Sequence, residues 1–489
     1  MFDLKKDIRK LVAWITGIAA AALIIYLIML PPVLGVADNG DFGRLFSVTG
    51  LSHLDPNENS KDRFYAYSHQ HFGYGGYMWG DYFSTQIFLV AAAGLIGRLF
   101  NFQVFDIRVL GALYTALFLL AIILFVRFSP KAATRSATLF VSAVIAVCLL
   151  FVFGDLGYIV YFQSFFGEPY ALIGLLLTVA SALALLSHEK PSGKLLALFV
   201  GAAVAVATSK IQNAPLGFAF ALLTWRMLTL RPDARWRRQV WIGAGILLLT
   251  SALMIVAAPD RLKHANLYQS IFYGVLKDSP DVAGDMKELG IPEKYAVLAG
   301  TNYFQKDTPI RQKDPMLRQE VLEKLSHKDI ALFYLKHPGR FIHKLERAAD
   351  NAMFIRPNYL GNYDQSAGKP PGAKSDSFSV WSKWKVESMP HSLAWFLGFY
   401  AIYFVLLGVI WWRNSSKRVR LGAETLAAVG LAGAFACVVP LIGDGEADLG
   451  KHLFMFNVCF DMMVISVVAG MSYGLAKLAS LAKRRQASS

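Results

Sequence analysis

Two aspartates three residues apart, Asp38 and Asp41, sit with Asn39, Gly40, Phe42, Gly43 and Arg44 just past the first apolar run of the chain. The glycines permit tight turns and close approach of a ligand. A carboxylate here can act as general base on a hydroxyl or hold a hard divalent cation. The plainer reading is a polar turn in which Asp38 or Asp41 caps a short helix. A second cluster, residues 443–452, packs Asp444, Glu446, Asp448, three glycines, Lys451 and His452 into ten residues between two apolar runs. A plain connecting loop needs no such composition, and Lys451 and His452 suit a phosphate. Glu168 precedes Pro169, which fits the first turn of a helix entering an apolar run. At that positive helix end the ionised carboxylate is favoured, so Glu168 suits a sugar hydroxyl or a cation, or is a simple cap. Lys210, Gln212 and Asn213 lie between two further runs. A lysine there needs a phosphate or a carboxylate for balance, or else snorkels to lipid head groups. Asp461 falls inside the last run, where it is either functional or hydrogen-bonded to a neighbouring helix.

The elements that position these groups are long apolar helices. Hydrophobic residues are 55% of the 489 and the mean hydropathy is +0.42, values of a polytopic membrane protein. Eleven apolar segments occur, at 11–30, 85–100, 107–126, 138–153, 169–186, 194–208, 215–230, 240–258, 392–412, 421–441 and 453–476. If all of them cross, basic loops fall on both sides of the membrane. Segment 85–100 is short, split by Gly94 and Gly97, and carries Arg98. If it lies in the interface instead, the basic N-terminus and the basic loops near 127–135, 190–194, 231–238, 413–420 and 483–485 all move inside. The expected fold class is therefore an all-α polytopic membrane protein of about ten transmembrane helices, with outer-face interface helices and a small extracytoplasmic segment.

This arrangement divides the chain into an anchor (1–30), a first outer loop with interface helices (31–106) and a central bundle (107–258). An extracytoplasmic segment (259–391), a C-terminal bundle (392–476) and a basic cytoplasmic tail (477–489) follow. Both termini are expected in the cytoplasm and the polar clusters outside the cell membrane. The first apolar run is too long for a signal-peptide core and reads as an uncleaved anchor. In the 259–391 segment an amphipathic helix is expected over 314–336. A second helix starts at Pro338 and turns Phe341, Ile342 and Leu345 to the bundle or membrane, and 369–379 reads as a mobile loop. The aromatic stretch from Tyr65 to Trp79 suits either sugar stacking or an interfacial belt. His69 and His71 have poor metal spacing, and Cys148, Cys437 and Cys459 read as small apolar residues.

Some functions are excluded. The net charge of +15 is explained by the loop bias, not by nucleic-acid binding. Inner loops are too short for a nucleotide-binding domain, and neither a Walker A motif nor a dinucleotide fingerprint is present. A donor used at the outer face must reach it through the membrane, as a lipid-linked one does.

At Asn39–Arg44, at Ser164–Pro169, and at Gly443, Asp444 and Gly445 followed by Lys451 and His452, the chain resembles bacterial GT-C membrane glycosyltransferases, nearest to the glycan-biosynthesis hexosyltransferases called WsfD-like. The resemblance spans most of the membrane portion. It implies a GT-C-type bundle, a polyprenyl-phosphate sugar donor and a glycan or lipid acceptor. It also implies that Asp41, or else Asp38, fills the catalytic acidic position of the first outer loop. On this reading Lys210, Lys451, His452 and Arg44 hold the donor phosphate, and Glu168, Asp444, Glu446 and Asn213 position sugar hydroxyls or a cation. The paired Asp-x-Asp of some relatives is absent, which leaves the need for a divalent cation open; no other cofactor is expected. Two alternatives share the multi-span architecture: a transporter or flippase of a lipid-linked glycan, which usually shows internal repeats not evident here, and a glycan ligase.

Overall fold

The computed structural model describes residues 7–78, 80 and 82–486. Eight helices are long and apolar enough to cross a membrane: Ile8–Met29, Arg108–Arg127, Arg135–Phe153, Glu168–Ser187, Ala234–Val256, Leu393–Arg413, Lys417–Asp444 and Phe454–Ala482. The other two expected crossings are helices of less than spanning length by themselves. Gly193–Ser209 has 17 residues, and Ala214–Arg226 has 13 and tightens into a 3-10 turn at Met227–Leu230. Gly193–Ser209 packs between Glu168–Ser187 and Ala234–Val256, and Ala214–Arg226 packs on Ala234–Val256, Gly193–Ser209 and Lys417–Asp444. Glu168–Ser187 is enclosed almost all round, as its uniformly apolar sequence requires.

Contacts between loops sort the bundle into two ends. Arg127 pairs with Asp7 at 2.8 Å, and Arg9 donates to the Ser129 carbonyl at 2.5 Å. Arg231 donates to the Pro191 carbonyl and Arg418 to that of Glu189, both at 2.8 Å. The basic loops thus gather at one end. Segments 31–106 and 259–391 gather at the other.

Helix Gln86–Phe100 stays at that second end. Its first residue donates to the Phe166 carbonyl at 2.7 Å and to the Tyr114 hydroxyl at 3.0 Å. Towards its last turn Gly97 abuts Phe105 and Tyr74 so closely that a Cβ would meet Phe105 at 2.7 Å. Phe88, Leu95, Leu99 and Phe100 are exposed, so the helix leaves an apolar face uncovered.

Three short antiparallel strands, β1 (Leu51–His53), β2 (His71–Tyr74) and β3 (Val104–Asp106), form a sheet in that order. They divide the aromatic stretch from Tyr65 to Trp79. Phe72 of β2 points inward and packs with Phe42, Phe46 and Phe165, whereas Tyr65 and Tyr77 are exposed; Trp79 lies outside the described residues. Strands of three or four residues alternate too briefly to be read from sequence.

The 259–391 segment has its own core around Tyr268, Phe272, Tyr295, Leu317 and Phe333. The expected helix over 314–336 is broken. Pro315–Leu317 runs into a wide turn at Arg318–Leu322, and a new helix, His327–Lys336, begins at a capping box of Ser326 and Asp329. Pro338–Asn351 follows as expected, with Phe341 and Leu345 packed on the bundle and Ile342 exposed. The 369–379 stretch is tied down: Ser375 and Ser379 are buried, and Arg356 donates to the Ser375 carbonyl at 2.6 Å.

Of the two readings open for Asp461, the hydrogen-bonded one holds. It accepts from Lys385 at 2.8 Å, Trp381 at 2.8 Å and Tyr158 at 2.6 Å, and Lys385 also donates to Asn457 at 2.6 Å. Both charges are fully buried. The network pins helix Val380–Ser388 to the last span.

Candidate functional site

The turn at 38–44 is built by Asp38. Its Oδ1 accepts the backbone N–H groups of Gly40 at 2.7 Å and Phe42 at 3.2 Å. Gly40 takes φ 98°, a conformation that favours glycine. The turn leads into helix Gly43–Thr49, whose N-cap is Phe42 with no side-chain cap, so neither aspartate caps the helix and Asp38 instead closes the turn before it. Its other oxygen is buried without a hydrogen-bond partner; the nearest cation candidate, His53 Nε2, is 3.7 Å away. Burial, reinforced by the charge of Asp41, pushes the Asp38 carboxyl up to about 6, against the two N–H bonds that hold it down. Burial, with Arg63 nearby, lowers His53 to about 4.

Asp41 projects from the turn in the opposite electrostatic state. Lys451 Nζ lies 2.5 Å from one oxygen and Arg44 Nη2 lies 2.8 Å from the other. Burial works against its ionisation, but the two cations outweigh it and hold the carboxyl well below the usual range. Lys451 is 2% exposed, with its ammonium 4.2 Å from the centre of the Phe166 ring. Burial would discharge it, yet Asp41 and Glu168 keep it above its ordinary value.

Glu168, at the start of its span, pairs with Lys210 through one oxygen while the other is buried and unpartnered. Burial lowers Lys210 despite that partner, and Lys451 adds to the effect. Asn213 donates to Ser209 at 2.8 Å and leaves its carbonyl oxygen unpartnered. Lys210, Glu168, Asn213, Gln212 and Lys451 line a cavity of about 10 Å³, the room of one water. Two ammonium groups and two unpaired oxygens therefore converge on one small polar space.

His452 forms the flank. Its Nε2 is 2.9 Å from Asp444, and its Nδ1 is 2.7 Å from Gln212 Oε1. Gln212 Nε2 donates to the His452 carbonyl at 2.9 Å, which fixes the amide so that its oxygen faces the ring. Nδ1 must then carry a proton. Gln269 donates to the second Asp444 oxygen at 2.9 Å.

Asp38, Asp41, Arg44, Glu168, Lys210, Asn213, Asp444, Lys451 and His452 are thus brought to one end of the bundle. Glu446 is turned elsewhere: it pairs with Lys277 at 2.7 Å and Lys344 at 2.5 Å, both in the 259–391 segment. Among the described residues no group of three or more His, Cys, Asp or Glu side chains is placed to hold a metal ion. The carboxylates of Asp41 and Asp444 are each paired with basic groups. Gln212 and Phe166 lie in stretches that the sequence marked but had no separate role there, and nothing in it pointed to Gln269 or to Tyr359, whose hydroxyl donates to Asp448 at 2.6 Å. Gln212 had a signal in its position two residues from Lys210. Tyr359, alone in an ordinary loop, had none.

No curated protein and no solved structure matches the chain. One family model, described as the YfdI N-terminal transmembrane domain, matches residues 3–487. That description names a membrane domain and no activity, and it agrees with the helical bundle. With the match running over nearly all of its length, the chain belongs to the YfdI N-terminal transmembrane domain family.

Proposed function

We propose that the protein is a GT-C-type glycosyltransferase that moves a hexose from polyprenyl phosphate to a hydroxyl of a cell-surface glycan or lipid. The loop bias assigns the basic end and both termini to the cytoplasm and the candidate site to the outer face of the cell membrane. The observation that carries this reading is the buried Lys451, held at 2.5 Å by Asp41 beside Lys210 and Arg44.

Asp41 neutralises Lys451 and Arg44, and Glu168 pairs with Lys210. A donor phosphate competes for Lys451 and Arg44 through charge-assisted hydrogen bonds. As it takes them, Asp41 loses the charges that hold its pKa down and becomes a stronger base. Donor binding and activation of the base are then one event. The acceptor oxygen forms a bond to the anomeric carbon as its proton passes to Asp41. The bond from that carbon to the phosphate oxygen breaks, and the electron pair leaves with the phosphate. Lys451, Lys210 and His452 stabilise the charge that develops there. Glu168 and Asn213, each with an unpartnered oxygen, receive sugar hydroxyls, and Asp444 orients His452. Direct displacement inverts the anomeric carbon.

A transporter needs ionisable groups along a path through the bundle. Here they collect at one end, and Asp461 within the last span is saturated by its neighbours. Purified protein in lipid vesicles, given labelled polyprenyl-phosphate hexose, is expected to release polyprenyl phosphate. Movement of intact donor between leaflets without release would contradict the reading.

A further inference from the structure

Two tyrosines stand exposed beside the polar residues of the site. Tyr65 is 51% and Tyr359 40% exposed, and their ring centres lie 6.0 Å apart at an interplanar angle of 59°. A short chain of contacts joins them to Asp41. The Tyr359 hydroxyl donates to Asp448 at 2.6 Å, with Asn39 beside it. The Asp448 carbonyl accepts the N–H of Lys451 at 2.9 Å, and Lys451 pairs with Asp41.

Tyr65 is also held in an unusual backbone state. Its φ is 70°, in the left-handed region that a bulky residue enters only under constraint. The constraint is visible: its N–H donates to the Asp38 carbonyl and its own carbonyl accepts from Gly361, both at 2.9 Å. Glycine would suit that backbone better, and an exposed ring adds little to packing. A strained aromatic at the edge of a candidate site is what recognition requires and what a lipid-facing belt does not.

We propose that Tyr65 and Tyr359 form a stacking site for a pyranose ring, with Asp448 and Asn39 taking its hydroxyls. The C–H face of a sugar lies on an aromatic ring while a carboxylate and an amide bind its polar edge. A bare lipid chain would cover the remaining polar atoms of Asp448 and Asn39 and offer them no hydrogen bond. Lys210, Lys451 and Arg44 are the donor-phosphate groups of the transferase reading, so the ring at the tyrosines belongs to the acceptor. That last assignment, unlike the binding itself, rests on the transferase reading.

Saturation-transfer NMR on the detergent-purified full chain, with a panel of methyl hexopyranosides as probes, tests the binding without any assay of activity. Wild type and Tyr65→Phe are expected to saturate the C–H protons of at least one probe. Tyr65→Gly and Tyr359→Ala should lower that signal ~5-fold or more, the equivalent of one lost stacking contact. Tyr65→Gly should melt no lower than wild type, because glycine relieves the φ of 70°, which separates lost binding from lost folding. No saturation of any probe in wild type, or undiminished signals in Tyr65→Gly and Tyr359→Ala, would overturn the site. In the transferase assay the same variants should raise the acceptor KM. A raised donor KM instead would assign the ring to the donor and overturn the acceptor assignment. Sugar binding lost in the variants of a protein with no transferase activity would uphold the site and sink the transferase reading alone.

Discussion

At the scale of single residues, Asp38 and Asp41 show how position sets the character of a carboxylate. Asp38 is 2% exposed, faces no cation within hydrogen-bond distance and is pushed up to about 6. Asp41 meets two cations and is held down. The first has a consequence for stability. A carboxyl raised in the fold above its ordinary 3.8 binds its proton more tightly when folded. Its contribution is full below that value and is lost as pH rises through about 6. Ionising Asp38 in place therefore costs on the order of 3 kcal/mol. Asp38→Asn keeps an acceptor for the Gly40 and Phe42 N–H groups and removes that charge. It is expected to raise the melting temperature at pH 7.5 and to lose the advantage near pH 4. Equal differences from wild type at both values would refute the assignment. The sequence displayed the two aspartates and their glycines but not which was which. The partner that decides it, Lys451, lies 410 positions from Asp41.

At the scale of elements, the apolar runs and basic loops were legible because hydrocarbon thickness and loop charge act on composition alone. Segment 85–100 was legible as a helix shorter than a span, since its length, glycines and arginine all act locally. What escaped was anything decided by tertiary partners. The small sheet depends on pairing strands as distant as β2 and β3, and the break before Ser326 comes with the wide turn at Arg318–Leu322, whose Val321 and Leu322 are buried in the segment's own core. Helix Val380–Ser388 shows the same in the bundle, since its place is set by Lys385 against Asp461. Lys385→Met leaves Asp461 buried with its main counter-charge gone, which is expected to destabilise the fold by about 3–5 kcal/mol. The double variant Lys385→Met/Asp461→Leu should recover most of this, since it leaves no lone charge. Thermal unfolding in detergent reads both, and a double variant as weak as the single one would show that the pair does more than hold the helix.

At the scale of the whole molecule, the basic loops mark one end and the candidate site lies at the other, joined to the 259–391 segment through Glu446, Lys277 and Lys344. Sidedness is open to direct measurement. With Cys148, Cys437 and Cys459 replaced by alanine, Ser366→Cys at the site end should react with a membrane-impermeant maleimide on intact cells. Ser415→Cys, at the basic end, should react only after permeabilisation. The reverse pattern would place the site in the cytoplasm and remove the need for a lipid-linked donor.

In the proposed reaction Asp41 is a base released by donor binding. The most direct measurement compares wild type with Asp41→Asn in lipid, following both binding of labelled polyprenyl-phosphate hexose and its turnover. Turnover should fall by about 10²–10⁴-fold, the usual contribution of a positioned general base. Donor binding should be retained or tightened, because Lys451 and Arg44 no longer have a carboxylate to neutralise. Undiminished turnover in Asp41→Asn, or donor binding lost along with it, would contradict the account.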